Sequence, residues 1–445
     1  MTAPRRLTVY RDSRPVGTLW ADGTRLQFAY QAAVLGDRAA AVGVLLPVRA
    51  GTFDDHQARP CFENLLPEGD LRGYLAKTEK VDEGDVVGLL AVFGGECAGA
   101  LSLWPEGELP SPTPQYAPCS AEEVRAALAM VRVQEASVRN SPAQVMKRGR
   151  LSLSGAQDKL VLFRRPPSGL GVAPDEPLYR VPLRGAPSTV IVKHAREERF
   201  PGLLHNELLC MRLMSAAGVP TASSAVHALD AAVYETARFD RVLQQHDTVT
   251  RLHAEDGCQV TGRTSFQKYA STGAPGYHDL CTVLRRAGAA PAEDAERLLR
   301  WAVANLAMGN RDAHAKNVTL LHTPAGVRLA PAYDVTCTLV YPDLDAEELP
   351  LRFGGQAHAK ALSAHALRVA AREFGVTPAR AATVAGDTCD RLMAALDDAV
   401  HAVAALAGDA PILGRLHERL HASVRETRDR LVPAGMAQGG GLTAR

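Results

Sequence analysis

Short apolar runs separated by turn residues dominate the first 110 positions of the chain. Residues 7–10 and 26–30 are two such runs, and the Asp22-Gly23 pair between them is typical of a hairpin turn. The pattern therefore predicts strands and hairpins in this region. Five prolines between positions 105 and 118 interrupt it. Because proline disrupts helices and central strands, we expect a linker over 101–120 and a domain boundary near 105–120.

Residues 111–240 mix the helical and the strand period. Ser120 and Glu123 form the sequence of a capping box at the start of a helical pattern, and Gly218 with Pro220 ends a second one. The predicted elements are a helix over 121–134, strands over 158–163 and 189–193, a helix over 203–217, and strands over 225–229 and 232–235.

Helical spacing dominates the remainder of the chain. Ala, Leu and Arg recur with a 3.6-residue period over 295–308 and over most of 361–432. The order of elements predicts an α+β, bilobal protein that can hold a ligand such as a nucleotide between its lobes. The predicted parts are a β-rich N-terminal cap over 1–110, a small mixed lobe over 111–240, a large helical lobe over 241–432, and a frayed tail over 433–445.

Composition and charge exclude several classes of protein. The 445 residues include 50 Lys and Arg against 49 Asp and Glu, and a formal net charge of +1 gives no overall basic field for nucleic acid. With 46% hydrophobic residues, the chain does not have a disordered composition. No stretch approaches about 20 uncharged apolar residues, so we expect a cytoplasmic protein without a membrane segment. Eight cysteines without a Cys-x-x-Cys pair predict reduced, buried thiols.

The densest group of polar residues follows the helix predicted at 295–308. Residues 310–317 read Asn-Arg-Asp-Ala-His-Ala-Lys-Asn, in which four residues separate Asp312 from Asn317. This is the spacing of the protein-kinase catalytic loop, where the aspartate accepts the substrate proton and the asparagine binds magnesium. Asp334, 17 positions after Asn317, offers the second oxygen ligand that magnesium needs in a phosphoryl-transfer site.

The same residues also have simpler explanations. Asn, Asp and Arg are common after helices, and an isolated Asp-x-x-x-x-Asn pattern is a frequent turn. His314 can equally be a packing or hydrogen-bonding ring. The concentration of five such residues in eight positions, between a helix and a strand, favours the catalytic interpretation. His314 and Lys316 are then further candidates for nucleotide contacts.

A lysine and a glutamate form a second candidate pair. Lys193 ends the strand predicted at 189–193, like the lysine that binds the α- and β-phosphates in kinases. Glu207 follows 14 residues later in a predicted helix, where it can keep the lysine charged and aimed. Singly, such a lysine is usually solvated and such a glutamate usually lies on the surface, so only the joint arrangement favours function.

A glycine-containing turn precedes the strand predicted at 158–163. Its backbone amides around Gly155, helped by Ser154 and Gln157, can cover phosphates. The turn is not a G-x-G-x-x-G sequence, and by composition it is also an ordinary turn. The candidate phosphate-covering residues are Ser152, Ser154, Gly155 and Ala156.

With these segments, the chain resembles the HipA-type serine/threonine kinases, the toxins of bacterial type II toxin–antitoxin systems. The resemblance runs in family order from about residue 45 to 340, and the length agrees with a member that carries both the N-terminal cap and the kinase core. The segments that carry it are Glu63–Glu68, Phe93–Leu101, Ser152–Lys159, Phe200–Gly202, Asn206-Glu207, Arg238–Arg241, His253–Gln259, Gly309–Asn317 and Leu329–Asp334.

The resemblance implies a kinase-like fold, with ATP as the phosphate donor and Mg²⁺ as the metal. It implies that Asp312 is the catalytic base, that Asn317 and Asp334 are the metal ligands, and that Lys193 is the phosphate-binding lysine beside Glu207. No acidic or amide ligand of this set is missing, so we expect an active enzyme.

Further expectations come from the resemblance alone. It implies that the backbone at Ala237 and Phe239 binds adenine and that residues 152–156 cover the phosphates. Ser152 matches a serine whose autophosphorylation expels this loop and silences the kinase, and Ser154 is a second candidate. The expected partners are a small HipB-like DNA-binding antitoxin, which bridges the kinase to its operator DNA, and an aminoacyl-tRNA synthetase as the protein target.

Two positions depart from the family pattern, and two other functions stay open. Ala237 stands where members often have a polar or acidic residue, and Arg311 stands where the residue is usually small or hydroxylated. A catalytically silent homologue that acts only as antitoxin or operator-binding partner is one alternative, although the complete ligand set argues against it. The other is a metal-dependent hydrolase built from Asp312, His314 and Asp334, which would not need the strand lysine.

Overall fold

The computed structural model describes residues 5–120, 122–124, 159–164, 178–194, 200–228, 232–244, 248–344 and 347–433. The chain forms two compact units, each assembled from separate stretches. The first unit contains Met1–His194, Ser223–Ser265 and Leu320–Pro324, and the second contains Ala195–Ala222, Phe266–Thr319 and Ala325–Arg445. Helices and sheets are both present, which confirms the α+β class, whereas the predicted four-part division of the chain stays a prediction.

A five-stranded sheet begins the first unit, with strand order β4-β3-β2-β1-β5. Alternate residues point into the core, and Leu7, Val9, Leu19 and Phe28 are fully buried there. Burial of each such side chain contributes about 1.5–3 kcal/mol. The strands predicted at 7–10 and 26–30 are therefore confirmed. The strands are β1 (Arg6–Arg11), β2 (Arg14–Asp22), β3 (Arg25–Tyr30), β4 (Thr52–Phe53) and β5 (Leu101–Pro105).

Three helices accompany this sheet, and the pattern of the first 110 residues did not predict them. They are α1 (Asp55–Glu63), α2 (Gly69–Glu79) and α3 (Val86–Phe93). The sequence of α3, Val-Val-Gly-Leu-Leu-Ala-Val-Phe, is apolar on all sides, so its periodicity cannot separate a buried helix from a buried strand. The N-cap Asp85 decides the start, because its carboxylate accepts a hydrogen bond from the Gly88 N–H at 2.8 Å.

The expectation of a linker over 101–120 is wrong for ten of its residues. Leu101–Pro105 is β5, which pairs with β1 at the edge of the first sheet. Residues Gln115–Cys119 form β6, which pairs with β8 (Tyr179–Leu183) in a two-stranded sheet. Prolines are tolerated in both strands because, among the described residues, neither strand has a partner on both sides.

A four-stranded antiparallel sheet of order β10-β11-β9-β7 forms the second sheet of this unit. All four strands were predicted. The reciprocal hydrogen bonds of the Ser120–Glu123 capping box are also present, at 2.8 and 3.1 Å. The helix predicted at 121–134 lies outside the described residues beyond position 124. The strands are β7 (Lys159–Leu162), β9 (Val190–His194), β10 (Ser224–Ala228) and β11 (Ala232–Ala237).

The second unit is mainly helical, as predicted. Its longest helix, α9, packs against α4, α7 and α10, and Leu392, Leu396, Leu416 and Leu420 of α9 and α10 are buried. The helices are α4 (Leu203–Ala216), α6 (Tyr277–Ala287), α7 (Pro291–Met308), α8 (Ala364–Phe374), α9 (Pro378–Ala407) and α10 (Pro411–Leu431).

Shorter helices and strands are also present. The helix α5 (Gly257–Thr261) belongs to the first unit, and its start is a capping box of Asp256 and Gln259. The short strands are β12 (Arg241–Leu243), β13 (Val249–Arg251), β14 (Ala254–Asp256), β15 (Thr319–Thr323), β16 (Gly326–Leu329), β17 (Glu348–Phe353) and β18 (Gln356–His358).

Two further expectations can be compared with the structure. All eight cysteines are buried and free, which confirms the prediction of reduced thiols. Within the described ranges, no helix is both long enough and apolar enough to cross a membrane.

Candidate functional site

The loop that carries Asp312 begins where α7 is forced to end. Gly309 has a φ of +68°, and its N–H donates to Leu306 O at 3.1 Å, while the Asn310 N–H donates to Asn305 O at 2.9 Å. These are the two hydrogen bonds of a Schellman motif. A Cβ atom at Gly309 would lie 2.3 Å from Leu339 Cδ1, so a larger residue here would also crowd the Leu339 side chain. The loop therefore leaves the helix in one fixed direction.

Asparagine side chains then hold the backbone of Asp312. The Asp312 N–H donates to Asn310 Oδ1 at 3.0 Å, and Asn317 Nδ2 donates to Asp312 O at 2.8 Å. Asn310 is itself held, because its Nδ2 donates to Asn305 Oδ1 at 2.8 Å. The side chain of Asp312 is 52% exposed, although Asn310 and Asn317 are buried. A fixed backbone with an accessible carboxylate suits a general base.

Tyr269 also reaches this carboxylate, and sequence reasoning did not single it out. Its hydroxyl donates to Asp312 Oδ1 at 2.5 Å, and its ring meets the His314 ring edge-on at a centroid distance of 5.0 Å. His314 Nε2 lies 3.9 Å from the same carboxylate oxygen. Tyr269 precedes Asp312 by 43 residues, and no spacing rule connects the two positions.

The remaining candidates of this loop are buried. His314, Lys316 and Asn317 are each less than 10% exposed. The Asn317 amide nitrogen is held by the carbonyl of Asp312, which turns the amide oxygen, the atom that magnesium prefers, away from that carbonyl. An amide oxygen is a ligand type that magnesium accepts, so Asn317 is chemically suited to the predicted metal role, which stays a prediction together with the nucleotide contacts of His314 and Lys316.

Asp334 lies in a segment that is tied to the end of the same loop. The hydroxyl of Tyr333 donates to Lys316 O at 2.5 Å and shares a second hydrogen bond with Thr319 Oγ1 at 2.7 Å. The backbone φ of Asp334 is +57°, in the left-handed region. Tyr333, which precedes Asp334, therefore ties the segment of Asp334 to the residues on either side of Asn317.

A buried asparagine fixes the chain just after Asp334. Asn206, in α4, donates from Nδ2 to Cys337 O at 2.7 Å and accepts from the Cys337 N–H at 2.8 Å. Asn206 is fully buried, so both hydrogen bonds are shielded from water. Asn206 therefore supports the segment that carries Asp334, the expected metal ligand.

Lys193 and Glu207 lie in different units, and their pairing stays a prediction. Lys193 is buried in β9, where it lies opposite Tyr234 of β11 with its Nζ 5.8 Å from the centre of the Tyr234 ring. Glu207 is buried in α4.

The expected adenine-binding segment lies at the end of β11. The N–H of Ala237 donates to Ser223 O at 2.8 Å, and the N–H of Arg238 donates to Thr189 O at 2.9 Å. Phe239 follows in the turn that leads to β12. The phosphate-covering candidates Ser152, Ser154, Gly155 and Ala156 lie outside the described residues.

A buried charge network surrounds this turn. Arg238, Arg241 and Arg251 all donate to the carboxylate of Glu96, at 3.3, 2.9 and 2.8 Å. Burial alone would raise the pKa of Glu96, but Arg241, Arg251 and Arg238 outweigh it and lower the pKa to about 2. Arg238 also binds the buried Asp240 at 2.7 Å. Glu96, Arg238 and Arg241 match the family pattern along the sequence, but their separation in the chain gives no sign that they meet in space.

A second cluster has residue types that commonly bind metals and consists of the buried His253 and Glu255 and the partly buried His322. His322 Nε2 lies 2.7 Å from Glu255 Oε2, which also accepts from the Val44 N–H at 2.8 Å. His253 Nε2 lies 3.0 Å from Val42 O, and burial lowers the pKa of His253 well below its usual value. Since these groups already have protein partners, the cluster is a hydrogen-bond network.

The chain is similar to known proteins along most of its length. Residues 7–104 match the family of the HipA N-terminal domain, and residues 151–396 match that of the HipA-like C-terminal domain. The protein Y4mE of Sinorhizobium fredii, named as a candidate kinase, is 35% identical over 379 residues, or 84% of this chain and 86% of that protein. The serine/threonine-protein kinase toxin HipA of Shewanella oneidensis is 30% identical over 311 residues, or 67% of each.

A solved structure has the same fold. A chain from the Shewanella oneidensis toxin–antitoxin complex of HipA, HipB and operator DNA superposes with a TM-score of 0.76 at 23% identity. The superposition covers 95% of this chain and 99% of that chain. The likeness confirms the expected kinase-like fold.

Proposed function

The chain belongs to the HipA family of kinases, and from this premise we propose that it is an ATP- and Mg²⁺-dependent serine/threonine protein kinase that acts as the toxin of a toxin–antitoxin pair. One observation carries the proposal: an exposed carboxylate at Asp312 on a backbone held by Asn310 and Asn317. This arrangement suits a base that meets an external hydroxyl.

In the proposed reaction, a serine or threonine hydroxyl of the substrate attacks the γ-phosphorus of ATP. The new oxygen–phosphorus bond forms while the bond from the γ-phosphorus to the β–γ bridging oxygen breaks, ADP leaves, and the hydroxyl proton passes to Asp312. Bound Mg²⁺ supplies charge neutralisation at the phosphates. Asn317 and Asp334 would hold the metal, and Lys193, aimed by Glu207, would hold the phosphates.

The remaining roles complete the nucleotide site. The backbone at Ala237 and Phe239 would bind adenine, and residues 152–156 would cover the phosphates, with His314 and Lys316 as further contacts. Phosphorylation of Ser152 or Ser154 would add about two negative charges beside the nucleotide phosphates. Repulsion between these charges would then expel the loop and silence the kinase.

We further infer a small HipB-like antitoxin as the partner. HipA of the solved Shewanella complex is found with HipB and operator DNA, and the shared family and fold support the same kind of assembly here. Operator DNA would then be bound through the antitoxin, consistent with a net charge of only +1. We propose an aminoacyl-tRNA synthetase as the target and the cytoplasm as the location.

Mass spectrometry of the purified chain after incubation with Mg²⁺ and ATP tests the activity. We expect phosphate on Ser152 or Ser154 in the wild type and a loss of about 10²–10⁴-fold in transfer rate for Asp312→Ala, because the base acts mainly in the transition state. Nucleotide affinity should be unchanged in that variant. Asp343→Ala, which removes an exposed aspartate of the same unit, serves as the matched control.

Other outcomes would assign another function. If neither the wild type nor added protein substrates gain phosphate although ATP binds, the chain is a silent homologue. If ATP is hydrolysed with water as the acceptor and Lys193→Ala retains full activity, the hydrolase alternative is supported and the kinase proposal is wrong.

A further inference from the structure

We propose that Tyr269 is a positioning residue for the base: its hydroxyl holds one oxygen of the Asp312 carboxylate so that the other faces the substrate hydroxyl. The inference rests on the proposed kinase function and adds a residue that the kinase motifs do not contain. It follows from contacts that Tyr269 makes within the second unit through its hydroxyl, its backbone and its ring.

The hydroxyl contact occupies only one side of the carboxylate. Tyr269 donates to Asp312 Oδ1 at 2.5 Å, whereas Oδ2 accepts no hydrogen bond from the described part of the chain. The Asp312 side chain is still 52% exposed. A residue that blocked the base would cover it from solvent, so the remaining exposure favours positioning over inhibition.

The backbone of Tyr269 is fixed by a tight turn. Its carbonyl oxygen accepts hydrogen bonds from the Thr272 N–H at 2.9 Å, the Thr272 hydroxyl at 3.1 Å and the Ala274 N–H at 3.0 Å. Gly273, with a φ of +92°, allows the chain to turn back towards this carbonyl. The hydroxyl is therefore presented from a defined point of the backbone.

The ring of Tyr269 is held by the same loop that its hydroxyl contacts. It packs edge-on against His314 at an interplanar angle of 80°, and Lys268 Nζ lies 5.3 Å from the ring centre. Edge-to-face contacts of this kind stabilise one ring orientation. Tyr269 is consequently oriented towards Asp312 by a residue two positions further along the loop.

The chemical consequence concerns rotation of the carboxylate. With Oδ1 held, Oδ2 stays directed at the acceptor, and the acceptor proton passes to Oδ2 as the new oxygen–phosphorus bond forms and the bond to ADP breaks. A carboxylate that rotates freely spends part of its time in orientations that cannot accept this proton. Since a misplaced catalytic group costs up to about 100-fold in rate, loss of the tyrosine hydroxyl should slow the chemical step and leave nucleotide binding unchanged.

The test compares Tyr269→Phe with wild type in the full chain, using Mg²⁺ and ATP with dephosphorylated casein and the chain itself as acceptors. We expect the maximal rate of phosphate incorporation to fall about tenfold. The ATP concentration for half-maximal rate and the melting temperature should not change. Tyr116→Phe is the matched control, because it removes a hydroxyl hydrogen bond to Pro187 O in the other unit.

Each other result contradicts the inference in a distinct way. An unchanged rate in Tyr269→Phe would show that the hydroxyl has no role. An increased rate would show that Tyr269 occupies the acceptor position, and a lower melting temperature with a parallel change in half-saturation would show a structural role. If wild type transfers no phosphate to either acceptor, the proposed function itself fails and the role of Tyr269 falls with it.

Discussion

The carboxylate of Asp312 is half exposed, whereas the polar residues that follow it in the loop are buried. This difference has a physical reason at the scale of single residues. A base must meet the hydrogen of its substrate, while the residues that hold the loop work better when water cannot compete for their hydrogen bonds. Exposure therefore separates the residue expected to do chemistry from those that support it.

Asp334 is constrained by its backbone as well as by its expected role. At a φ of +57°, most side chains are strained, but Asp and Asn adopt this region more readily. Asp334→Asn thus removes the charge while it keeps the backbone preference. We expect the Mg²⁺ concentration for half-maximal phosphate transfer to rise at least about tenfold, without a change in melting temperature.

The control for this substitution is Asp343→Asn, which changes an exposed aspartate of the same unit. Magnesium titrations of phosphate transfer and of nucleotide binding would be measured for both variants. If Asp334→Asn has the magnesium dependence of the wild type, Asp334 does not belong to the ligand set.

At the scale of elements, the end of α7 decides where the loop of Asp312 begins. Gly309 combines a left-handed backbone with close packing against Leu339. Gly375 ends α8 with a similar φ of +70°, but a Cβ there would lie 3.6 Å from the flexible end of Arg285. Both glycines therefore have a left-handed backbone, but only Gly309 is closely packed against a neighbouring side chain.

Gly309→Ala should therefore destabilise the protein more than Gly375→Ala. The left-handed backbone costs about 1–2 kcal/mol at either position, and overpacking against Leu339 adds about 1–3 kcal/mol at Gly309 alone. Denaturant unfolding of both variants would measure the difference. Equal destabilisation would mean that Leu339 moves aside without cost and that the Schellman motif alone fixes the direction of the loop.

At the scale of the molecule, folding brings residue 96 against residues 238–251. Glu96 belongs to the part of the chain that matches the HipA N-terminal domain, whereas its three arginine partners belong to the part that matches the C-terminal domain. The two sequence families are therefore joined in one buried network next to the expected adenine-binding turn. The N-terminal domain is part of the structural support of that turn.

Glu96→Gln tests this support. Because the substitution removes a buried negative charge from three guanidinium groups, and Asp240 stays paired only with Arg238 and Arg241, we expect a loss of about 3–5 kcal/mol in the free energy of unfolding at pH 7. Asp37→Asn is the control, since its ion pair with Arg14 is exposed and worth at most about 1 kcal/mol. Similar losses in both variants would contradict a special role of the buried network.

The stability difference between wild type and Glu96→Gln should also depend on pH. The pKa of Glu96 is lowered to about 2 in the folded state, against about 4.3 for an unfolded glutamate. Its contribution is thus complete above the unfolded value and is lost as the pH falls towards 2. The difference in unfolding free energy between wild type and Glu96→Gln should shrink over this interval. A difference independent of pH would exclude ionised Glu96 as the source.

The sequence alone predicted the elements whose pattern is local. The strands β1, β3, β7 and β9 and the helices α4 and α7 appear where period, caps and stop signals placed them. The spacing of Asp312, Asn317 and Asp334 was also readable, because these residues lie close together along the chain. The helices α1 to α3 and the strand at Leu101–Pro105 were missed, since all-apolar runs and edge prolines do not reveal their partners.

Tertiary structure decided the contacts between residues that are distant in sequence. Tyr269 reaches Asp312 across 43 positions, Asn206 binds Cys337 across 131, and Glu96 meets Arg241 across 145. A hydrogen bond or ion pair depends on positions in space, and many chain paths are compatible with the same local pattern. The sequence by itself therefore placed the expected catalytic residues in one loop, and folding determined which residues hold that loop in place.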